Sequence, residues 1–116
     1  MPADPLKRRR GPAWGILLLF VCCTIPGVFA CTPGPTTHTV RMDSTQFQPA
    51  DLKVRAGDTI VWLNNDLFPH TATAQGRFDS GSIAADKSWR YTVTERGEID
   101  YICTFHPTMK GKLRVE

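Results

Sequence analysis

The chain has 116 residues, of which 14 are Lys or Arg and 11 are Asp or Glu, giving a formal charge of +3 at neutral pH. This length suits a single domain and excludes a large multidomain enzyme. The excess positive charge lies in residues 7–10 (KRRR), because the chain from Cys31 onward has ten basic and ten acidic residues. This balance argues against a basic nucleic-acid-binding domain, and we expect no nucleic-acid partner.

The first 30 residues have the layout of a secretory signal peptide. The cationic start is followed by an apolar run over residues 13–23, then by Pro26 and Gly27, and finally by Ala30. A positive beginning, a short apolar centre and a small residue at the cleavage point define such signals. The positive cluster would keep the amino end in the cytoplasm. The rest of the chain is then exported.

This pattern divides the chain into three parts. We expect residues 1–30 to be a signal peptide or a membrane anchor, residues 31–39 to be a linker rich in Pro and Thr, and residues 40–116 to be the folded domain. Cys31, directly after the cleavage point, resembles the lipidated cysteine of a bacterial lipobox. Lipidation of Cys31, ordinary secretion and an uncleaved anchor all remain open. Each places a monomeric domain in the periplasm or elsewhere outside the cytoplasm, tethered or free.

Short β-type runs separated by turn residues fill the folded domain. No stretch has helical periodicity over three turns. The pattern predicts an all-β fold, a Greek-key sandwich of about seven to eight strands, with residues 77–87 irregular. In chain order the predicted strands lie at residues 40–42, 47–54, 59–63, 71–74, 88–93, 99–103 and 112–115.

Cys103 is the only cysteine within the predicted folded domain. Exported domains normally use cysteines in disulfide pairs, and an unpaired thiol in an oxidising compartment is easily oxidised. Three interpretations are open: an inert buried thiol, a bridge between Cys31 and Cys103, or a sulfur that binds a metal. The lack of a partner within the domain favours the metal ligand.

Three metal-binding residue types lie close together near the C-terminus. Cys103, His106 and Met109 have C-x-x-H-x-x-M spacing, and His70 lies upstream. A thiolate, two imidazoles and a weak thioether form the ligand set of a type 1 copper centre, whereas structural zinc sites avoid Met. We predict that these four residues bind one copper ion and that His38, in the linker, is not a ligand.

The sequence around these residues resembles the cupredoxins, the small blue copper proteins, and within them the amicyanin, plastocyanin and pseudoazurin relatives. The similar stretches are residues 56–62 (AGDTIVW), 65–66 (ND), 69–70 (PH) and 101–111 (YICTFHPTMKG). The resemblance covers about residues 38–116. It implies a Greek-key sandwich, outer-sphere electron transfer and one type 1 copper, with His70, Cys103, His106 and Met109 as its ligands.

One position departs from the pattern of many relatives. They have Asn directly after the first ligand His, where it helps to tie two ligand loops together, and this chain has Thr71. A Thr hydroxyl can still form hydrogen bonds. The sequence therefore predicts neither the hydrogen bonds around the ligands nor the reduction potential that depends on them.

The main functional hypothesis is a one-electron carrier outside the cytoplasmic membrane that docks briefly with redox protein partners. An apolar rim around His106 would serve the docking, with Leu67 and Phe68 either in this rim or in the core. The alternatives are an extracytoplasmic copper-binding, storage or delivery protein, and a scaffold sandwich without a metal. We expect no enzyme and no catalytic residue, because no nucleophile–base pair or paired carboxylates stand out. The rim would comprise Leu67, Phe68, Pro69, Phe105 and Pro107.

Overall fold

A computed structural model describes residues 27–116 of the chain. Residues Thr32–Glu116 form one compact unit, and all the strands discussed below belong to it. Most of the segment expected to be a signal peptide or anchor lies outside the described residues. Within residues 27–116, no helix is long and apolar enough to cross a membrane.

Nine strands form within residues 27–116. They follow the seven predicted strands closely, with three differences. The strand predicted at residues 47–54 is divided into two short strands. The first strand begins at Thr37, inside the stretch expected to be a linker, and a short strand forms within the stretch expected to be irregular. The strands are β1 (Thr37–Asp43), β2 (Gln46–Gln48), β3 (Asp51–Val54), β4 (Thr59–Asn64), β5 (Thr73–Ala74), β6 (Phe78–Asp79), β7 (Ser88–Thr92), β8 (Gly97–Ile102) and β9 (Lys110–Val115).

The strands form two sheets, which confirms the predicted all-β sandwich. One sheet has the order β2-β1-β4-β7 and the other has the order β3-β9-β8-β5-β6. The pairs β1–β4 and β3–β9 are parallel, and the remaining pairs are antiparallel. A parallel pair requires a connection that leaves the pair and returns to it, so neighbours in space come from distant parts of the chain.

Alternating burial along the strands places the core between the two sheets. In β4, Ile60 and Trp62 are buried and Val61 between them is half-buried, as expected for side chains that alternate between the faces of a sheet. Trp62 contacts Tyr101 of β8, with ring centroids 5.4 Å apart, and Phe78, with centroids 5.3 Å apart. These contacts explain β6, because burying the Phe78 ring orders a segment that lacks any periodic pattern.

The end of the sandwich opposite the predicted site is closed by Asp58. Its carboxylate accepts hydrogen bonds from the backbone N–H groups of Thr36 and Arg55, at 2.8 and 2.9 Å, and lies 2.9 Å from Nε2 of His38. These bonds, the one from Thr36 first, lower the pKa of Asp58 from 3.8 to about 2. His38, which was expected in the linker, lies in β1 and contacts Asp58 at this end of the sandwich.

The predicted site lies where three strands end or begin. β4 ends at Asn64, β8 ends at Ile102 and β9 begins at Lys110. The buried Asn64 holds the loop that follows it, because its Nδ2 donates to the carbonyl oxygens of Phe68 and Ile83 at 2.7 and 2.9 Å. The loop after β4 is therefore anchored to the end of its strand.

Candidate metal centre

His70 lies on the loop after β4 and is fully buried. Its backbone exchanges two hydrogen bonds with Ile83, at 3.1 and 2.7 Å. Its side-chain Nε2 lies 2.7 Å from Oδ2 of Asp66. Since Asp66 occupies one side of the imidazole, the other ring nitrogen, Nδ1, is free to face Cys103, whose Sγ lies 3.7 Å away.

Cys103 directly follows β8 and its sulfur lies at the centre of the group. The residue is fully buried and is not bridged to Cys31. Its Sγ lies 3.7 Å from Nδ1 of His70 and 3.7 Å from Nδ1 of His106, and it accepts a hydrogen bond from the Thr71 N–H at 3.3 Å. The interpretation of Cys103 as a disulfide partner is therefore wrong for this structure.

The loop between β8 and β9 closes on itself through its backbone. The N–H of Cys103 donates to the Met109 carbonyl at 3.0 Å, and the N–H of Met109 donates to the His106 carbonyl at 2.8 Å. A third bond runs from the His106 N–H to the Cys103 carbonyl at 3.2 Å. These bonds set the positions of the three residues of the C-x-x-H-x-x-M motif.

Three of the four predicted ligands converge. The ligand atoms of His70, Cys103 and His106 all lie within 4.8 Å of one another, and theirs is the only such group of His, Cys, Asp or Glu side chains in the described part of the chain. His70 and Cys103 are buried, and His106 is half-buried. Met109 is buried on the same loop. That these four residues hold a metal ion stays a prediction.

The hydroxyl of Thr71 joins the two loops. Its Oγ1 accepts a hydrogen bond from the Thr104 N–H at 2.9 Å and lies 3.1 Å from Oγ1 of Thr104. Oγ1 of Thr73 adds a third contact at 3.0 Å. Thr71 thus supplies two connections to the other loop, one from its backbone to Cys103 and one from its side chain to Thr104.

Sequence reasoning missed the role of Asp66, which appeared only as part of the stretch 65–66 that resembles the family. Its carboxylate accepts hydrogen bonds from the backbone N–H groups of Ser44 and Thr45, at 2.7 and 2.9 Å, in addition to its contact with His70. Partial burial raises the pKa of Asp66, but the hydrogen bonds from Thr45, His70 and Ser44 outweigh it and lower the pKa overall. The available signal was an acid four residues before a predicted ligand.

The residues of the predicted apolar rim lie at the surface. Leu67 is 89% exposed, Phe68 is 66% exposed and Phe105 is 52% exposed. Pro69 and Pro107 are exposed as well. The alternative that Leu67 and Phe68 belong to the core is therefore wrong.

Comparisons with known proteins agree with this architecture. A family model for the cupredoxin-like domain matches residues 15–115. Amicyanin from Paracoccus versutus is 29% identical over 66% of this chain and 63% of its own length, so the chain spans less than two thirds of that relative. Plastocyanin from a Synechococcus species is 30% identical over 86% of this chain and 89% of its own length.

A solved structure gives the same result for the fold. A copper(I) form of an amicyanin variant superposes with a TM-score of 0.66 at 28% identity, covering 69% of this chain and 82% of the amicyanin. The match with the family model extends over most of the chain, and the sheets and the His-Cys-His group lie where the sequence resemblance implies. The chain belongs to the cupredoxin family.

Proposed function

We propose that this chain is a type 1 blue copper protein that carries single electrons, with one copper ion held by His70, Cys103, His106 and Met109. The observation that carries the proposal is the convergence of one sulfur and two imidazole nitrogens within 4.8 Å. This donor set fits copper, because thiolate and thioether sulfur suit Cu(I) and imidazole suits both of its oxidation states. When bound, copper supplies one-electron chemistry by alternating between Cu(I) and Cu(II).

The protein contributes ligand atoms that are already in place. His70 is fixed by Asp66, and Cys103 is fixed by the Thr71 N–H. The backbone bonds between Cys103, His106 and Met109 hold the second loop. Ligands fixed in this way move little when the charge of the site changes, which favours fast electron transfer. Full burial of His70 and Cys103 also keeps water away from the sulfur.

His106 offers the route to the surface. It is the half-buried member of the group, and the exposed rim residues Leu67, Phe68 and Phe105 lie on the same two loops. A small apolar patch of this kind suits a transient interface that forms and separates quickly. The near-zero charge of the folded domain adds no strong long-range steering. The proposed partners are therefore redox proteins that dock at this rim.

The proposal is for a carrier and not for an enzyme. The named relatives are amicyanins and a plastocyanin. We therefore assign no residue a catalytic role. Asp66 orients the His70 imidazole, and Thr71 connects the two ligand loops.

The proposal also places the domain outside the cytoplasmic membrane. Its support is the cationic and apolar pattern of residues 1–30. Mass spectrometry of the protein from membrane and soluble extracytoplasmic fractions tests this. A chain that begins at Cys31, with or without an added lipid, is expected. A chain that begins at Met1 and is found only in the cytoplasm would overturn the assignment.

Voltammetry of the copper-loaded protein tests the carrier function. We expect a reversible one-electron wave that persists over repeated cycles, with copper retained in the presence of a competing chelator. An irreversible wave, with rapid loss of copper to the chelator, would contradict the carrier and favour a storage or delivery protein. Cys103→Ser is the matched control, because it keeps the size of the side chain and removes the soft sulfur.

A further inference from the structure

The carboxylate of Asp66 connects two parts of the chain that are distant in sequence. Oδ1 accepts the Ser44 N–H at 2.7 Å, and Oδ2 accepts the Thr45 N–H at 2.9 Å. Oδ2 also lies 2.7 Å from Nε2 of His70. The side chain of Asp66 is only 15% exposed, so water competes weakly for these contacts. One carboxylate therefore serves the turn between β1 and β2 and the imidazole of His70 together.

The turn between β1 and β2 needs such support. Ser44 and Thr45 have φ angles of 52° and 60°, in the left-handed region that non-glycine residues rarely adopt. Two consecutive residues of this kind are costly, because each brings its Cβ close to the following carbonyl oxygen. Their backbone N–H groups point at one acceptor, and Asp66 provides it. The strained turn and Asp66 thus hold each other in place.

The backbone of Asp66 is held from the other side. Its N–H donates to Oδ1 of the buried Asn64 at 2.9 Å, and the neighbouring Asn65 N–H donates to the Met42 carbonyl at 2.9 Å. Asp66 therefore has a fixed backbone, and its carboxylate has three hydrogen-bond partners. Such a group can fix the orientation of a neighbouring imidazole.

We propose that Asp66 is a positioning residue: it keeps the proton of the His70 ring on Nε2, so that Nδ1 faces Cys103, and its negative charge favours the more highly charged state of a bound metal. A carboxylate beside a metal-binding imidazole selects the tautomer in this way and raises the basicity of the ligand. The part of the proposal that concerns copper rests on the proposed function, whereas the part that concerns the tautomer does not.

Two substitutions separate the two effects. Asp66→Asn keeps an oxygen that can accept the His70 N–H but removes the charge. Asp66→Ala removes both. Asp43→Asn is the matched control, because Asp43 lies beside the same turn and accepts only the Ser44 hydroxyl, at 3.1 Å. Asp66→Asn conserves volume, so the role of the charge can be tested even if Asp66→Ala fails to fold.

The first measurement uses the metal-free protein. Nitrogen-15 NMR of the imidazoles at neutral pH reports which His70 nitrogen carries the proton. We expect the Nε2–H form in the wild type, in Asp43→Asn and in Asp66→Asn, and a mixture of tautomers in Asp66→Ala. A His70 that keeps the wild-type tautomer in Asp66→Ala would overturn the positioning role.

The second measurement uses copper. We expect Asp66→Ala to bind Cu(II) roughly 10- to 100-fold more weakly, which is the usual effect of losing a partner of a ligand imidazole. We expect Asp66→Asn to have a higher reduction potential than the wild type, with Asp43→Asn unchanged. Equal potentials for all three proteins would overturn the role of the charge. If the wild type binds no copper but the NMR result is as expected, the proposed function fails and the positioning role stands.

Discussion

The link between the two ligand loops gives the sharpest prediction for stability. Thr71→Val keeps the shape of the side chain and removes the hydroxyl that accepts the Thr104 N–H at 2.9 Å and contacts the Thr104 hydroxyl at 3.1 Å. The backbone bond from residue 71 to the Cys103 sulfur does not depend on the side chain. The substitution therefore removes one of the two connections and leaves the other.

The magnitude follows from burial. Loss of a partner for a buried donor costs about 1–3 kcal/mol. Thr71 is 3% exposed, which favours the full cost, but Thr104 is exposed and its N–H can turn to water. We therefore expect the free energy of unfolding to fall by about 1.5 kcal/mol. For a domain of this size that is a fall in Tm of roughly 6–12 °C.

Thermal unfolding of the metal-free protein, followed by circular dichroism, measures the effect. Thr73→Val is the matched control, because it removes the contacts of the Thr73 hydroxyl with Thr71 and with Asp79. It leaves the bond from the Thr104 N–H to the Thr71 hydroxyl intact. We expect the control to lose less stability than Thr71→Val. If Thr71→Val unfolds at the wild-type temperature, or if the two variants are equal, the hydroxyl does not tie the loops together.

Three further predictions concern other parts of the molecule. In Gly111→Ala the new Cβ would overlap the ring of Tyr101 on the adjacent strand, so urea denaturation should show a loss of about 1–3 kcal/mol, and an unchanged midpoint would contradict the packing. Because the pKa of Asp58 is depressed from 3.8 to about 2, its contribution to stability is complete above pH 4 and is lost as the pH falls towards 2. Acid unfolding should therefore be less steep in this window for Asp58→Asn, and parallel curves would refute this assignment. Leu67→Lys, at an 89% exposed position, should slow electron exchange with a redox protein while the visible spectrum is unchanged, and an unchanged rate would exclude the rim as the docking surface.

Local alternation of side chains made most of the strands predictable. Trp62 and Ile60 mark the buried face of β4, and the strand extends only one residue beyond the predicted range of 59–63. The start of β1 was harder, because nothing in the sequence around Thr37 distinguishes a strand from a linker. Pairing with Thr59 of β4 makes it a strand, and that pairing is a long-range contact.

At the metal centre, too, features set by nearby residues were predictable, and features set by long-range contacts were not. Cys103, His106 and Met109 lie within seven residues, so their chemistry is visible in the sequence. Asp66 lies only four residues before the predicted ligand His70, but its role also depends on a turn more than 20 residues away, which no local pattern reports. The exposure of Leu67 was likewise undecided, because an apolar residue beside a turn can face either the core or the solvent.

Titration of the metal-free protein with Cu(II), followed by visible absorption, tests the central claim most directly. We predict an intense blue band that saturates at one equivalent and is abolished in Cys103→Ser, because that band requires the bond between copper and the thiolate. The band should persist in Asp43→Asn, which lies outside the metal centre. A colourless protein, or a blue band that survives in Cys103→Ser, would contradict the account.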